Sequence, residues 1–148
     1  MIQRIGETPL SRQKYTLRPG AYVAIVSEGQ VLLTHQQEPV PEFQLPGGGV
    51  DSGEQVLPAL HREVLEETGW TITGPRRLGA FRRFTYMPEY DLWAEKLCTI
   101  YGARPGLRRG PPTEAGHSAI WMPAADAVRL LANDGDRLFL ARALGLGL

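Results

Sequence analysis

The sequence predicts an α/β (α+β) protein with a mixed β-sheet packed between helices. Three observations predict it. Short β-rich apolar runs, "AYVAIV" and "VLLTHQ", flank a Gly-containing turn. One amphipathic helical stretch, "QVLPALHREVLEETG", has an apolar residue at helical intervals and a glycine at its end. The elements then alternate as strands, helix, strands and helix, rather than repeating one type.

Taken in order, residues 1 to about 20 read as polar and irregular, with a short strand near "KYTL". The two apolar runs form a hairpin around "SEGQ". "QEPVPE" is a loop, and "FQL" a short strand stopped by Pro46 and three glycines. The helix starts near Gln55, which puts Pro58 in the first turn, where a missing N–H costs little. Leu57, Leu60, Val64 and Thr68 make its buried stripe, and Gly69 its C-cap. "LGAFRRFTY" and "EKLCTIYGA" are strands separated by a loop, "MPEYDLWA". "ARPGLRRGPPTEAGH" is a long loop, "SAIWM" a last strand, and two helices occupy about 123–144.

The 148 residues suit one domain, 1–148, and a hydrophobic fraction of 43% is enough for a core. Lysine plus arginine equals aspartate plus glutamate at 16 each, which argues against a general nucleic-acid or membrane-surface binder. A small phosphorylated ligand needs only a few local cations and stays open. Cys98 is the lone cysteine, so no internal disulfide forms, and the expected compartment is the reducing cytoplasm. The N-terminal stretch has no signal-peptide pattern, and no apolar run approaches the ~20 residues of a membrane span.

The helix raises a question. Glu63, Glu66 and Glu67 crowd within about a turn, where like charges repel by a few tenths of a kcal/mol per pair. A glutamate-rich helix is usually a solvated face. Here Glu63 and Glu67 project within roughly 40° of each other at the flank of the apolar stripe, and Glu66 lies adjacent. Hard oxygen donors in this grouping suit a divalent ion, Mg²⁺ or Mn²⁺. The preceding glycines allow close approach of backbone to a ligand, and a Glu54–Arg62 ion pair could tie that loop to the helix.

From Gly48, Glu54 follows after five residues, Arg62 and Glu63 after seven more, then Val64, Glu66, Glu67, Gly69 and Trp70. This resembles the Nudix box, GX5EX7REUXEEXGU, over residues 48–70, with Trp70 aromatic where an aliphatic residue is usual. The likeness in element order extends from about residue 20 to 144. The resemblance implies the Nudix fold, an α/β/α sandwich. It also implies metal-dependent hydrolysis of a nucleoside diphosphate linked to a moiety X, by attack of water on phosphorus. ADP-ribose or another nucleoside diphosphate sugar, a dinucleoside polyphosphate and a (deoxy)nucleoside triphosphate all remain open as substrates. Carried over, Glu63, Glu67 and Glu66 are metal ligands with the Gly47 carbonyl, and Glu54 with Arg62 is the orienting pair. Members differ in the general base. Glu114, in the late loop beside His117, sits where a loop glutamate is expected; Glu95 and Glu89 are weaker candidates. The rival reading is a Nudix-fold sensor or interaction module without catalysis; such modules commonly lose box glutamates, and this box is intact. Relatives are often dimers, which leaves a homodimer open.

Substrate contacts are expected from Arg82 or Arg83, of which only one can face a site from a strand, from Tyr86, and from Arg104 with Arg108 and Arg109. Tyr86 and Pro88 lie near the places where subfamilies carry marks for dinucleoside polyphosphates and for ADP-ribose respectively. The motifs of the coenzyme A pyrophosphatases and of the NADH-cleaving group are absent. His35, His61 and His117 read as ordinary surface or loop residues, Cys98 as core, and Tyr22, Phe84 and Trp121 as packing residues.

Overall fold

The computed structural model describes residues 1–145. A mixed sheet runs through it with one helix on one face and two on the other. Strands β1 (Gln3–Arg4), β2 (Thr16–Ser27), β3 (Gln30–Gln36), β4 (Glu42–Gln44) and β5 (Gly47–Gly49) precede helix α1 (Val56–Thr68). Then come β6 (Trp70–Met87), a 3-10 turn (Pro88–Tyr90), β7 (Leu92–Arg108), β8 (His117–Pro123), α2 (Ala124–Leu130) and α3 (Asp134–Ala143). The sheet order is β1-β6-β7-β2-β3-β4, with β5 also paired to β2 and β8 to β3. Two pairings are parallel, β1 with β6 and β2 with β7, so the sheet is mixed as expected.

Period-2 alternation along β2 divides the core. Ala21, Val23 and Ile25 meet Leu60 and Val64 of α1 on one face. Ala24, Phe81, Cys98 and Ile100 meet Ala127, Phe139 and Leu140 of α2 and α3 on the other. That is the α/β/α sandwich.

Several boundaries differ from the sequence reading. The strand near "KYTL" is the start of β2, not a separate element. The three glycines form β5, pairing with Gly20, Ala21 and Tyr22, rather than a free loop. β6 and β7 are far longer than expected. The hairpin takes in Leu92–Ala94 of the expected turn and the Arg104–Arg108 half of the expected long loop. Arginine, glycine and proline there have poor strand propensity, but cross-strand hydrogen bonding supplies the order.

In α1, Leu57 is 40% exposed, whereas Glu67 is only 5% exposed. At ~100° per residue Glu67 lies about 20° from Leu60, in the middle of the buried arc rather than at its flank. Gln55 is the N-cap, and Gly69 ends the helix with φ 77°. A Cβ on Gly69 would come within 1.9 Å of the Gly110 carbonyl, so glycine is required for the next loop to lie against the helix end. Among the described residues no helix is long and apolar enough to cross a membrane.

Candidate active site

The C-terminal end of α1 organises the site. Its last carbonyls lack intrahelical partners. The loop after β7 supplies them: Thr113 and Glu114 both donate backbone N–H bonds to the Glu66 carbonyl, at 2.8 and 2.9 Å, and Arg109 donates to Gly69 at 2.7 Å. Glu114 is thereby held beside the box glutamates although 47 residues separate it from Glu67. On the other side, the Gly47 N–H donates to Glu67 Oε1 at 2.9 Å. Gly47 has φ 144°, and a Cβ there would collide with the Ala21 carbonyl at 2.1 Å. Gly48 lies against Glu63, whose carboxyl carbon would be 2.8 Å from an added Cβ. The glycine strand is thus the surface on which two carboxylates rest.

Arg62 ties the outer part together. It donates to Glu54 at 2.9 Å, to Glu63 at 3.1 Å and to Glu66 at 3.5 Å. The expected Glu54–Arg62 pair is present, and Arg62 also serves two more carboxylates. The backbone N–H of Asp51, then Arg62, lowers the pKa of Glu54. Arg62 itself is raised, first by Glu54. Burial raises Glu63, and Arg62 opposes the rise.

Glu67 is the perturbed group. Burial, only partly offset by the Gly47 N–H and reinforced by the charges of Glu63, Glu114 and Glu66, pushes its carboxyl up to about 8. Among the described residues no three His, Cys, Asp or Glu side chains are already drawn together as a metal-ligand cluster. Arg62 bonds Glu63 and Glu66, while Glu67 accepts from Gly47. The donor set nonetheless suits a hard divalent cation. It is all oxygen, and among the described residues its buried member, Glu67, forms no ion pair.

Glu63, Glu67, Gly47 and Gly48, but not Glu54, Arg62 or Glu66, line a cavity of about 590 Å³ that also includes Arg18, Tyr22, Gln44, Arg83, Tyr86, Lys96, Cys98, Glu114 and Asp136 among its walls. Of the four substrate residues read from the sequence, Arg83 and Tyr86 line this cavity and Arg82 and Arg104 do not. Arg82 points through the other face of β6, where it pairs with Glu95 at 3.2 Å; alternation along the strand requires this once Arg83 faces the cavity. That also removes Glu95 from consideration as a base. Arg104 lies in β7 beside a separate depression bounded by Gly74, Arg76 and Ala143. His117 lines the cavity and bonds Thr34 Oγ1 at 3.0 Å, and burial lowers its pKa. Tyr86 bonds Asp91.

The sequence reading missed Arg18, Lys96 and Asp136. Lys96 is the cation in the apolar run "EKLCTIYG", two residues from Cys98 and so on its face. Asp136 is the carboxylate on the buried side of α3; burial raises it to about 6, against a backbone bond from Leu45 and the nearby charges of Arg83 and Lys96. Cys98 is in the core as expected, and burial raises its thiol to about 11. Trp121 and Phe84 are packing residues too, Trp121 edge-on to Trp70 and Phe84 edge-on to Tyr15. Tyr22 instead lies on the cavity wall, with Lys96 over its ring.

The family model for the NUDIX domain matches residues 16–143. The chain belongs to the Nudix family of hydrolases. It is 38% identical over 74 residues to a Bacillus subtilis protein provisionally named an 8-oxo-dGTP diphosphatase, 50% of either chain being covered. A CMP-5'-(N-acetyl-N-hydroxy-3-aminopropyl)phosphonate hydrolase of Streptomyces rubellomurinus is 30% identical over 154 residues, covering 96% of this chain and 71% of that one. The match thus spans half the length of the Bacillus relative but most of this chain in the Streptomyces one. The MutT NUDIX hydrolase from Burkholderia pseudomallei shares the fold at a TM-score of 0.70, with 24% identity over 84% of this chain and 96% of its own.

Proposed function

We propose that this Nudix protein, residues 1–148 acting as one domain in the cytoplasm, is a metal-dependent pyrophosphohydrolase that cleaves a nucleoside diphosphate linked to a moiety X. The observation that carries this is the buried Glu67 carboxylate, bonded to the glycine strand at 2.9 Å and within electrostatic reach of Glu63, Glu66 and Glu114 at one end of a large cavity. Such a cluster is costly without a cation and useful with one.

Glu63, Glu66, Glu67 and the Gly47 carbonyl would hold Mg²⁺ or Mn²⁺, which supplies charge neutralisation on the phosphoryl oxygens and a nucleophilic water. The residues of the chain do the remainder. Gly47 fixes Glu67, and Arg62 with Glu54 fixes Glu63 and Glu66. Glu114, stapled to the Glu66 carbonyl, takes the proton from the attacking water. Arg83 lines the same cavity. The water oxygen bonds to phosphorus as the anhydride P–O bond breaks, leaving a nucleotide and a phosphorylated X. The substrate choice among nucleoside diphosphate sugars, dinucleoside polyphosphates and nucleoside triphosphates is a matter of what the rest of the cavity holds. Family habit makes a homodimer the assembly to test by light scattering.

The test is product release from a panel of these compounds with Mg²⁺ and with Mn²⁺, wild type beside Glu67→Gln. Metal-dependent cleavage of one compound, lost in the variant, supports the reading. Tight nucleotide binding with no cleavage of any compound would replace it with the sensor reading.

A further inference from the structure

The far side of the cavity poses the mirror image of the glutamate question. In the β6–β7 ladder Arg83 is directly opposite Lys96, and in the β2–β7 ladder Arg18 is directly opposite the same lysine. Directly paired residues share a face of the sheet. Three cations therefore stand in one row across three adjacent strands, all lining the cavity. Like charges directly opposite one another destabilise a sheet. None of the three forms an ion pair among the described residues, whereas Arg82, next in sequence to Arg83 but on the other face, is paired with Glu95. Around the row stand the buried Asp136, whose raised pKa both Arg83 and Lys96 oppose, and two rings, Tyr90 with Arg18 5.1 Å from its centroid and Tyr22 with Lys96 at 5.7 Å. The row itself is cationic, although Glu42, Glu63, Glu67, Glu89 and Glu114 line other parts of the same cavity without pairing with it.

The row is also set apart from the glutamates. Gly48, which touches Glu63, is paired with Ala21, three residues along β2 from Arg18. At ~3.3 Å per residue that is about 10 Å of strand. That is the separation at the backbone; the Lys96 ammonium leans from the row over the Tyr22 ring, 5.7 Å from its centroid.

We propose that Arg18, Lys96 and Arg83 form an anion subsite that selects substrates carrying a further anionic group, a phosphate beyond the diphosphate that is cleaved. The proposal rests on the hydrolase reading above and narrows it. Nucleoside triphosphates and longer polyphosphates fit the row. A nucleoside diphosphate joined to an uncharged sugar leaves it unsatisfied. Arginine presents a planar fork to phosphate oxygens and lysine a point charge, so the row can hold one phosphoryl group from several sides.

The test separates this subsite from the hydrolytic centre. Binding of inorganic tripolyphosphate to the metal-free protein is followed by calorimetry with chelator present, so that the glutamates can only repel it. Wild type is expected to bind. Lys96→Met, Arg83→Gln and the less buried Arg18→Gln are each expected to weaken binding about tenfold, as loss of one charge-assisted hydrogen bond implies, while Glu67→Gln does not weaken it. Unchanged melting temperatures establish that the variants are folded. Absence of metal-free binding, or binding indifferent to all three substitutions, overturns the subsite. In the presence of Mg²⁺, kcat/KM for a nucleoside triphosphate should fall in Lys96→Met at least tenfold more than kcat/KM for a nucleoside diphosphate sugar. An equal fall for both would overturn the selectivity, since the cations would then be holding the cleaved diphosphate. Failure of every compound to be hydrolysed, with tripolyphosphate still bound by the cations, would sink the hydrolase reading and leave the anion site standing.

Discussion

Glu67 should cost the protein stability in exchange for activity, and the cost should depend on pH. Burial pushes its carboxyl up to about 8 in the folded chain, from an ordinary 4.5. Well below pH 4.5 it is neutral in folded and unfolded chains alike and contributes nothing. Between 4.5 and about 8 the unfolded chain releases the proton and the folded chain keeps it, so stability falls as pH rises; above about 8 the whole cost is present. At ~1.4 kcal/mol per pKa unit the ceiling is roughly 5 kcal/mol. Solvent relaxation at a cavity wall reduces it, and about 2 kcal/mol or more is the expectation. Glu67→Gln keeps an oxygen for the Gly47 N–H and removes the charge. In chelator, the variant should melt close to wild type at pH 5 and about 6 °C or more above it at pH 8.5, taking about 3 °C per kcal/mol for a chain of this size. Burial also raises Glu63, whose charge is one of those raising Glu67, so in wild type the two titrate as a coupled pair. Saturating Mg²⁺ at pH 8.5 should narrow or reverse the gap, because it binds only the wild-type carboxylate well; about 2.7 kcal/mol is gained at a hundredfold excess over Kd. Scanning calorimetry from pH 5 to 9 decides. A variant whose melting temperature tracks wild type across the range would refute the buried, cation-hungry carboxylate.

Other outcomes follow from the same geometry. Arg62→Lys cannot hold three carboxylates as a fork does, so kcat should drop at least tenfold while the melting temperature moves little, the network being solvent-facing; steady-state kinetics beside a melt check this. Glu114→Gln should lower kcat about a hundredfold or more at saturating Mg²⁺, and near-full turnover would remove it as the base. Gly48→Ala places a methyl 2.8 Å from the Glu63 carboxyl carbon, so Mn²⁺ affinity measured by calorimetry should weaken with the fold retained by circular dichroism.

The Nudix box was legible because its chemistry lies in sequence-local spacing: Glu54 and Arg62 meet as their separation suggested, and Gly69 caps the helix it ends. The depth of Glu67 was not. A polar residue beside an apolar stripe reads as flank, and only the packing of the glycine strand against α1 shows it inside the arc. The length of β6 and β7 was hidden for a related reason. "TITGPRRLG" and "ARPGLRR" are poor strand sequences singly, and each is held by the other. The cation row was invisible in principle from local pattern, since residues 18, 83 and 96 become neighbours only through the register of two ladders, one of them parallel. Arg104 was misplaced because its segment was read as loop.

The most direct test of the central claim is turnover in ¹⁸O-labelled water, with Mg²⁺ and after its chelation, on whichever panel compound is cleaved. The expected result is one labelled oxygen per turnover in a phosphoryl product, and no turnover once the metal is removed. Turnover that survives chelation, or label absent from both phosphoryl products, would contradict a metal-dependent attack of water on phosphorus at the glutamate cluster.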